Sequence, residues 1–303
     1  MIGAIDIGGT KIAVGMVDEH GKLLTHLESP TDADKGLAQG LERMATMLRQ
    51  VAEKSGGTLQ GIGIGCTGPV HPEQGTIGNV EFLPGWEGAN LVEELSCAFG
   101  VPVAIENDAD AAALGEWGWG AGRGTQQFIL VTIGTGIGGG IILDRKLYRG
   151  VDGSHPEIGH HVIDPTGPCC YCGAQGCWEQ LASGSALEQW AQNNHPTGKR
   201  FNAQHLCEAA GNGDPLALAA ILRTARYLGL GFANLVTLFS PEMIAFGGGL
   251  MRQQHLFLPS IREAIKANCG LVPNEKVRIV PSKFGAMVGL IGAARVWYDR
   301  FTR

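Results

Sequence analysis

The chain opens with an almost wholly apolar run, residues 2–7, and residues 12–17 repeat the pattern after a Gly8-Gly9-Thr10 turn. Short apolar runs closed by glycine predict buried strands. Similar runs at 59–65, 101–106, 128–133, 140–143, 243–246 and 277–280 predict more of them. Between the runs the spacing changes. In residues 36–55 Leu37, Leu41, Met44, Met47, Leu48 and Val51 recur at helical intervals, which predicts a helix with one apolar face. Residues 89–99 predict a second helix, stopped by Gly100 and Pro102. An Ala-rich helix is expected over 108–117, starting at Asn107 or Asp108, and further helices over 186–193, 215–238, 256–267 and 287–300.

The order strand, turn, strand, then mixed strands and helices occurs twice, opening at Asp6 and again near Thr132. This duplication of pattern predicts two α/β domains with a cleft between them. The boundary is expected near residues 118–124.

Composition narrows the function classes. The 303 residues carry a formal net charge of −6 with no cluster of Lys or Arg, which argues against a nucleic-acid surface. Met1 leads straight into a strand pattern, so no signal peptide is expected. The apolar stretch 128–143 is broken by glycines and is too short to span a bilayer. A cytoplasmic protein is therefore expected. The 47 glycines fall in discrete runs, as they do where backbone must turn or approach something closely.

Three of these runs follow strands. Asp6-Ile7-Gly8-Gly9-Thr10-Lys11 offers bare N–H groups and a hydroxyl to a phosphate, with an acidic residue placed to hold a magnesium-bound water. Taken alone, it is equally an ordinary hairpin turn. Ile133-Gly134-Thr135-Gly136-Ile137-Gly138-Gly139-Gly140 has more glycine than a hairpin needs. Gly247-Gly248-Gly249 is the third. None ends in the Gly-Lys-Ser/Thr of a Walker loop, and the dinucleotide spacing of Gly134, Gly136 and Gly139 runs into a strand instead of a helix. Together the three predict a nucleotide held by backbone.

Glu106-Asn107-Asp108 lies where a strand passes into a helix. An Asp there can accept the proton of an attacking hydroxyl, although Asn and Asp are also the favoured helix caps. Of eight cysteines, Cys169, Cys170, Cys172 and Cys177 fall within nine residues, preceded by Glu157-Ile158-Gly159-His160. One His and three Cys suit a closed, tetrahedral zinc site of structural type, with His160, Cys170, Cys172 and Cys177 as ligands and Cys169 and His161 left out. The free ring nitrogen of His160 would face a hydrogen-bond partner such as a sugar hydroxyl, bracketed by Glu157 and Glu179.

These residues resemble the ROK family, within the sugar kinase/actin-like ATPase superfamily. The resemblance runs from Asp6–Thr10 through Gly65-Cys66-Thr67-Gly68-Pro69, Leu83-Pro84-Gly85-Trp86, Glu106–Ala109, the glycine run at 134–140, the Glu157–His160 and cysteine pair and Gly247–Leu250 to Leu290-Ile291-Gly292-Ala293-Ala294. It implies a two-domain actin-like, ribonuclease H-like α/β fold. The expected domains are 1–118 with the C-terminal helix, about 290–303, and 119–289 with the zinc knuckle. It implies ATP-dependent phosphorylation of a free hexose at the 6-hydroxyl, with domain closure over the sugar excluding water. Asp108 is implied as general base, with Gly68, Asn107, Glu157, His160 and Glu179 on the sugar. Gly8, Gly9, Thr10, Lys11, Thr135, Gly136, Gly248 and Gly249 are implied around ATP, and Asp6 at Mg2+. A homodimer or homotetramer is expected.

His155-Pro156 before Glu157 resembles the family's fructokinases, whereas Cys170-Tyr171-Cys172-Gly173 is of its glucokinase type. Glucose leads as substrate, followed by N-acetylmannosamine, N-acetylglucosamine and fructose, and polyphosphate is an alternative donor. The rival class is a sugar-sensing regulator. Family repressors carry a helix-turn-helix domain before the phosphate turn, and Asp6 stands too near the start to follow one.

Overall fold

The computed structural model describes residues 1–78 and 82–302, divided into two compact units. The first comprises Met1–Thr125, Gly140–Pro156 and Ser282–Arg303. The second comprises Gln126–Gly139 and Glu157–Pro281.

In the first unit, β1 (Ile2–Ile7), β2 (Lys11–Val17) and β3 (Leu23–Pro30) form an antiparallel meander. Helix α1 (Leu37–Ser55) follows, then β4 (Gly61–Cys66), the two-residue strands β5 (Val70–His71) and β6 (Thr76–Ile77), α2 (Leu91–Phe99), β7 (Val103–Asn107) and α3 (Asp108–Trp119). The sheet order is β3-β2-β1-β4-β7, with β4 parallel to both β1 and β7. Alternation divides the two faces of β1 and β4. Ile5, Ile7, Ile62 and Ile64 pack under α1, against Met44, Leu48 and Val51. Ile2 and Ala4 face the opposite way, towards Leu290, Ala293 and Ala294 of the closing helix. On that face β4 carries glycines. A Cβ on Gly63 would lie 1.8 Å from the Ala293 carbonyl oxygen, so helix backbone rests directly on the strand.

The remaining strands are β8 (Phe128–Ile133), β9 (Ile137–Leu143), β10 (Lys146–Leu147), β11 (Met243–Gly247) and β12 (Arg278–Pro281), in sheet order β10-β9-β8-β11-β12. The helices of the second unit are α4 (Trp178–Ala182), α5 (Gly184–Asn194), α6 (Ala203–Gly211), α7 (Pro215–Phe239) and α8 (Leu258–Asn268); α9 (Val288–Phe301) closes the first unit. Helix α7 starts as its sequence dictates, with the Asp214 carboxylate accepting from the Ala217 amide and Pro215 in the first turn.

Strand β3 departs from the sequence expectation. It lies at the sheet edge and alternates half-buried with exposed residues, so it lacks the apolar run that marked the other strands. Strand β9 begins at Ile137, earlier than the expected 140, because the glycines at 138–140 pair within the sheet. Gly139 faces the Leu130 carbonyl at a distance no Cβ tolerates.

Candidate functional site

The register of the first sheet sets its candidate residues in a row. Asp6 pairs with Gly65, and Gly65 with Glu106; one step on, Ile7 pairs with Cys66, and Cys66 with Asn107. The turns leaving β1, β4 and β7 therefore emerge together at the carboxyl ends of parallel strands, the edge where open α/β sheets bind ligands. Gly8–Lys11, Thr67-Gly68 and Asn107-Asp108 stand on that edge.

The first turn is held from below. The Gly8 amide donates to the Lys11 carbonyl at 2.9 Å, and the Thr31 hydroxyl to the Gly8 carbonyl at 2.7 Å. A Cβ on Gly9 would fall 2.8 Å from Phe82. Lys11 is tied to Glu28 at 2.9 Å. Asp6 is boxed in by α9, where a Cβ on Gly289 would reach its carboxylate. Burial pushes Asp6 up to about 7, helped by the negative charge of Asp108. The same burial and the same two carboxylates push Cys66 up, so it stays a thiol.

The structure separates the two roles open to Asn107 and Asp108. Asn107 is the cap: its side-chain oxygen accepts from the Ala109 and Asp110 amides at 2.9 and 3.2 Å, and its Nδ2 donates to the Gly68 carbonyl. Asp108 is half-buried at the first position of α3, with Oδ1 accepting from the Ala109 amide at 2.8 Å. Behind them lies a buried charge network invisible to the sequence reading. Arg149 binds Glu106 at 2.6 Å and also Asp110, and His155 Nδ1 reaches Asp110 at 2.7 Å. Asp110 is fully buried. The network secures the end of β7 and the first turn of α3, the segment that carries Asn107 and Asp108.

In the second unit the other glycine turns lie side by side. A Cβ on Gly134 would stand 3.9 Å from the Gly249 amide. Gly248 has φ +93°, and a side chain there would also strike the Ile133 carbonyl. Thr135, Gly248 and Gly249 are exposed. Gly136 must be glycine for a different reason: the Glu179 carboxylate occupies the place of its Cβ and accepts from the Ile137 amide at 2.8 Å.

Glu179 is placed by the knuckle, and the knuckle by one tryptophan. Trp178 is wholly buried, lies where a Gly231 Cβ would be, meets Phe232 edge-on at 5.7 Å and donates to the Tyr227 carbonyl. The Tyr227 hydroxyl in turn donates to Asp164 at 2.7 Å. On this base His160, Cys170, Cys172 and Cys177 gather with their ligand atoms within 4.8 Å of one another. His160 Nδ1 is 3.4 Å from the Cys170 sulfur, and the Cys172 and Cys177 sulfurs are 3.5 Å apart. These spacings approach the ~3.7 Å between thiolates on one tetrahedral ion with metal–sulfur bonds of about 2.3 Å. Hydrogen bonding, first from the Ala174 amide, pulls the Cys172 thiol down, whereas burial pushes Cys177 up. Cys169 is exposed and bridges to Gln175, outside the group. His161 turns away, its Nδ1 donating to the Ile158 carbonyl. Glu157 is exposed, three residues before His160.

The sequence reading passed over Tyr171. Its hydroxyl lies 3.0 Å from His160 Nε2, with the Glu179 carboxylate beside it.

A family model described as ROK family matches residues 2–300. The chain is 37% identical to a glucokinase from Streptomyces coelicolor, over 96% of this chain and 95% of that protein. Among solved structures, a ROK hexokinase from Thermus thermophilus is 34% identical, with a TM-score of 0.86 over 99% of each chain. A ROK family glucokinase from Streptomyces griseus, solved in complex with glucose and AMPPNP, is 36% identical, with a TM-score of 0.79 over 97% of each chain.

Proposed function

This chain belongs to the ROK family, and from that premise we propose that it transfers the γ-phosphoryl group of ATP to the 6-hydroxyl of a free hexose, converting glucose to glucose 6-phosphate. The fold is the two-domain actin-like ATPase fold of the ROK sugar kinases. The observation that carries the reading is the edge of the first sheet. It sets a glycine turn and Asp6 beside Asp108, the first residue of a helix whose cap is the neighbouring Asn107.

Each residue has a task in that reaction. Gly8, Gly9 and Thr10 present amides and a hydroxyl to the phosphates, with Lys11 beside them. Thr135, Gly136, Gly248 and Gly249 receive the rest of ATP through backbone free of side-chain bulk. Asp6 and Asp108 repel one another. Mg2+, a hard cation suited to oxygen donors, relieves that repulsion and neutralises phosphate charge when bound. Asp108 accepts the proton of the 6-hydroxyl as its oxygen attacks phosphorus. Gly68, Asn107, Glu157, His160 and Glu179 hold the sugar's remaining hydroxyls.

The Cys3His group suits Zn2+, because three sulfurs and one imidazole nitrogen complete a tetrahedron and leave no open position for chemistry. His160 Nδ1 faces the sulfurs, which leaves Nε2 to carry the ring proton towards the sugar. Glucose is the first choice because relatives alike over nearly the whole chain are glucokinases. The reading extends to a cytoplasmic homodimer or homotetramer. Helix α7, the single described helix apolar and long enough to cross a membrane, buries one face in the second unit and carries Arg223 and Arg226.

Replacing Asp108 by Ala tests the assignment. Turnover is expected to fall by about 10²–10⁴-fold, the usual worth of a general base, with glucose binding retained. Substantial turnover in Asp108→Ala would remove Asp108 from that role.

A further inference from the structure

Tyr171 sits between two members of the metal-binding group, Cys170 and Cys172, and its side chain is largely exposed. An exposed tyrosine ordinarily points its hydroxyl to water. This one turns back, meets the His160 ring edge-on at 5.0 Å and places its hydroxyl 3.0 Å from Nε2. The Glu179 carboxylate lies beside the same hydroxyl and acts on it electrostatically.

The protons follow from the neighbours. His160 Nδ1 faces the cysteine sulfurs, and with a metal held there Nδ1 would be its ligand and Nε2 would carry the ring proton, donating to the phenol oxygen. The phenol then keeps its own O–H for the Glu179 carboxylate beside it. That carboxylate also accepts from the Ile137 amide at 2.8 Å, on the glycine turn. The hydroxyl thus stands on the imidazole with the carboxylate at its side.

A sugar hydroxyl is also one donor and one acceptor, and between His160 and Glu179 it would accept from the one and donate to the other. We propose that the Tyr171 hydroxyl is a built-in stand-in for a sugar hydroxyl, occupying the His160–Glu179 position in the sugar-free protein and yielding it when hexose binds. This inference rests on the reading that His160 and Glu179 hold the sugar. It gives the phenol two functions. The hydroxyl gives the His160 ring a partner that an empty site would leave to bulk water, and it sets a threshold that a ligand passes only by offering a hydroxyl at that point. Because Tyr171 is tethered on both sides by knuckle cysteines, the metal group fixes where the phenol can reach.

The test is glucose binding to the full-length, metal-loaded protein without nucleotide, by titration calorimetry. Tyr171→Phe keeps the ring and removes the hydroxyl. It is expected to tighten glucose binding about two- to tenfold, the worth of one hydrogen bond that no longer has to be broken. Unchanged or weaker binding would overturn the proposal. Glu179→Gln distinguishes the two levels of the argument. Weakened glucose binding in that variant upholds the sugar site whatever Tyr171 does, and unweakened binding rejects the site and the stand-in with it. A direct readout is fluorine NMR of protein carrying 3-fluorotyrosine at its four tyrosines, with the Tyr171 resonance assigned by its loss in Tyr171→Phe. Saturating glucose is expected to shift that resonance, and a resonance that stays in place contradicts displacement.

Discussion

Asp6 holds its proton at a pH where an ordinary aspartate has long lost it. Burial is the main cause and the charge of Asp108 the second, and together they raise it from 3.8 to about 7. The folded state therefore binds this proton more tightly than the unfolded chain does. Its contribution to stability is present below the unfolded pKa and is lost as pH rises through about 7. Asp6→Asn is accordingly expected to stabilise the ligand-free protein at about pH 8, with the gain shrinking towards about pH 5. Thermal unfolding at both pH values checks this, and a gain larger at the acid end would reverse the sign and reject it. At this scale the sequence pointed to candidate residues wherever polar or metal-binding types clustered along the chain. Asp6, Asn107, Asp108, His160 and the three cysteines were all nameable from spacing. Arg149, Asp110 and His155 were not, because their network joins positions 39 and 45 residues apart that only the packing of the first unit brings together. Tyr171 stood inside the cysteine motif, but its hydroxyl gains meaning only from where His160 and Glu179 end up.

Among the elements, buried strands and amphipathic helices were readable because burial on one face imposes a period. Edge strand β3 was not, since it is solvated along half its length. Short helix α4 was also missed, because its place is fixed by Trp178 against Gly231, Phe232 and the Tyr227 carbonyl, not by any repeat along the chain. Strand β4 shows how closely the elements fit. Gly63→Ala would drive a methyl into the Ala293 carbonyl, so α9 must shift away from the strand. Overpacking of this kind costs about 1–3 kcal/mol, to be read as a lowered urea midpoint. A midpoint equal to wild type would show that helix and strand are less tightly apposed. For the knuckle, Cys172→Ser is expected to release the bound metal and weaken glucose binding through the loosened His160. Elemental analysis of the purified variant showing undiminished metal would reject this ligand set.

For the molecule as a whole, the recurrence of one strand-and-turn pattern was enough to foresee two α/β units, because each unit repeats the same device of a glycine turn leaving a central strand. The detailed division was less visible. Residues 140–156 and 282–303 return to the first unit after excursions through the second, and no linker composition marks either crossing. The first unit carries Asp108 and the first glycine turn, and the second carries the further glycine turns and the metal-binding group. A sugar-sensing regulator could keep the second set without using the first, so only turnover decides between a sensor and an enzyme. The decisive measurement is ATP consumption by the purified protein with Mg2+, against glucose, mannose, fructose, N-acetylglucosamine and N-acetylmannosamine, with a no-sugar control. Rapid turnover with glucose as the clear favourite, and almost none without sugar, is the predicted result. Protein that retains its metal yet consumes no ATP with any of these sugars would contradict the account.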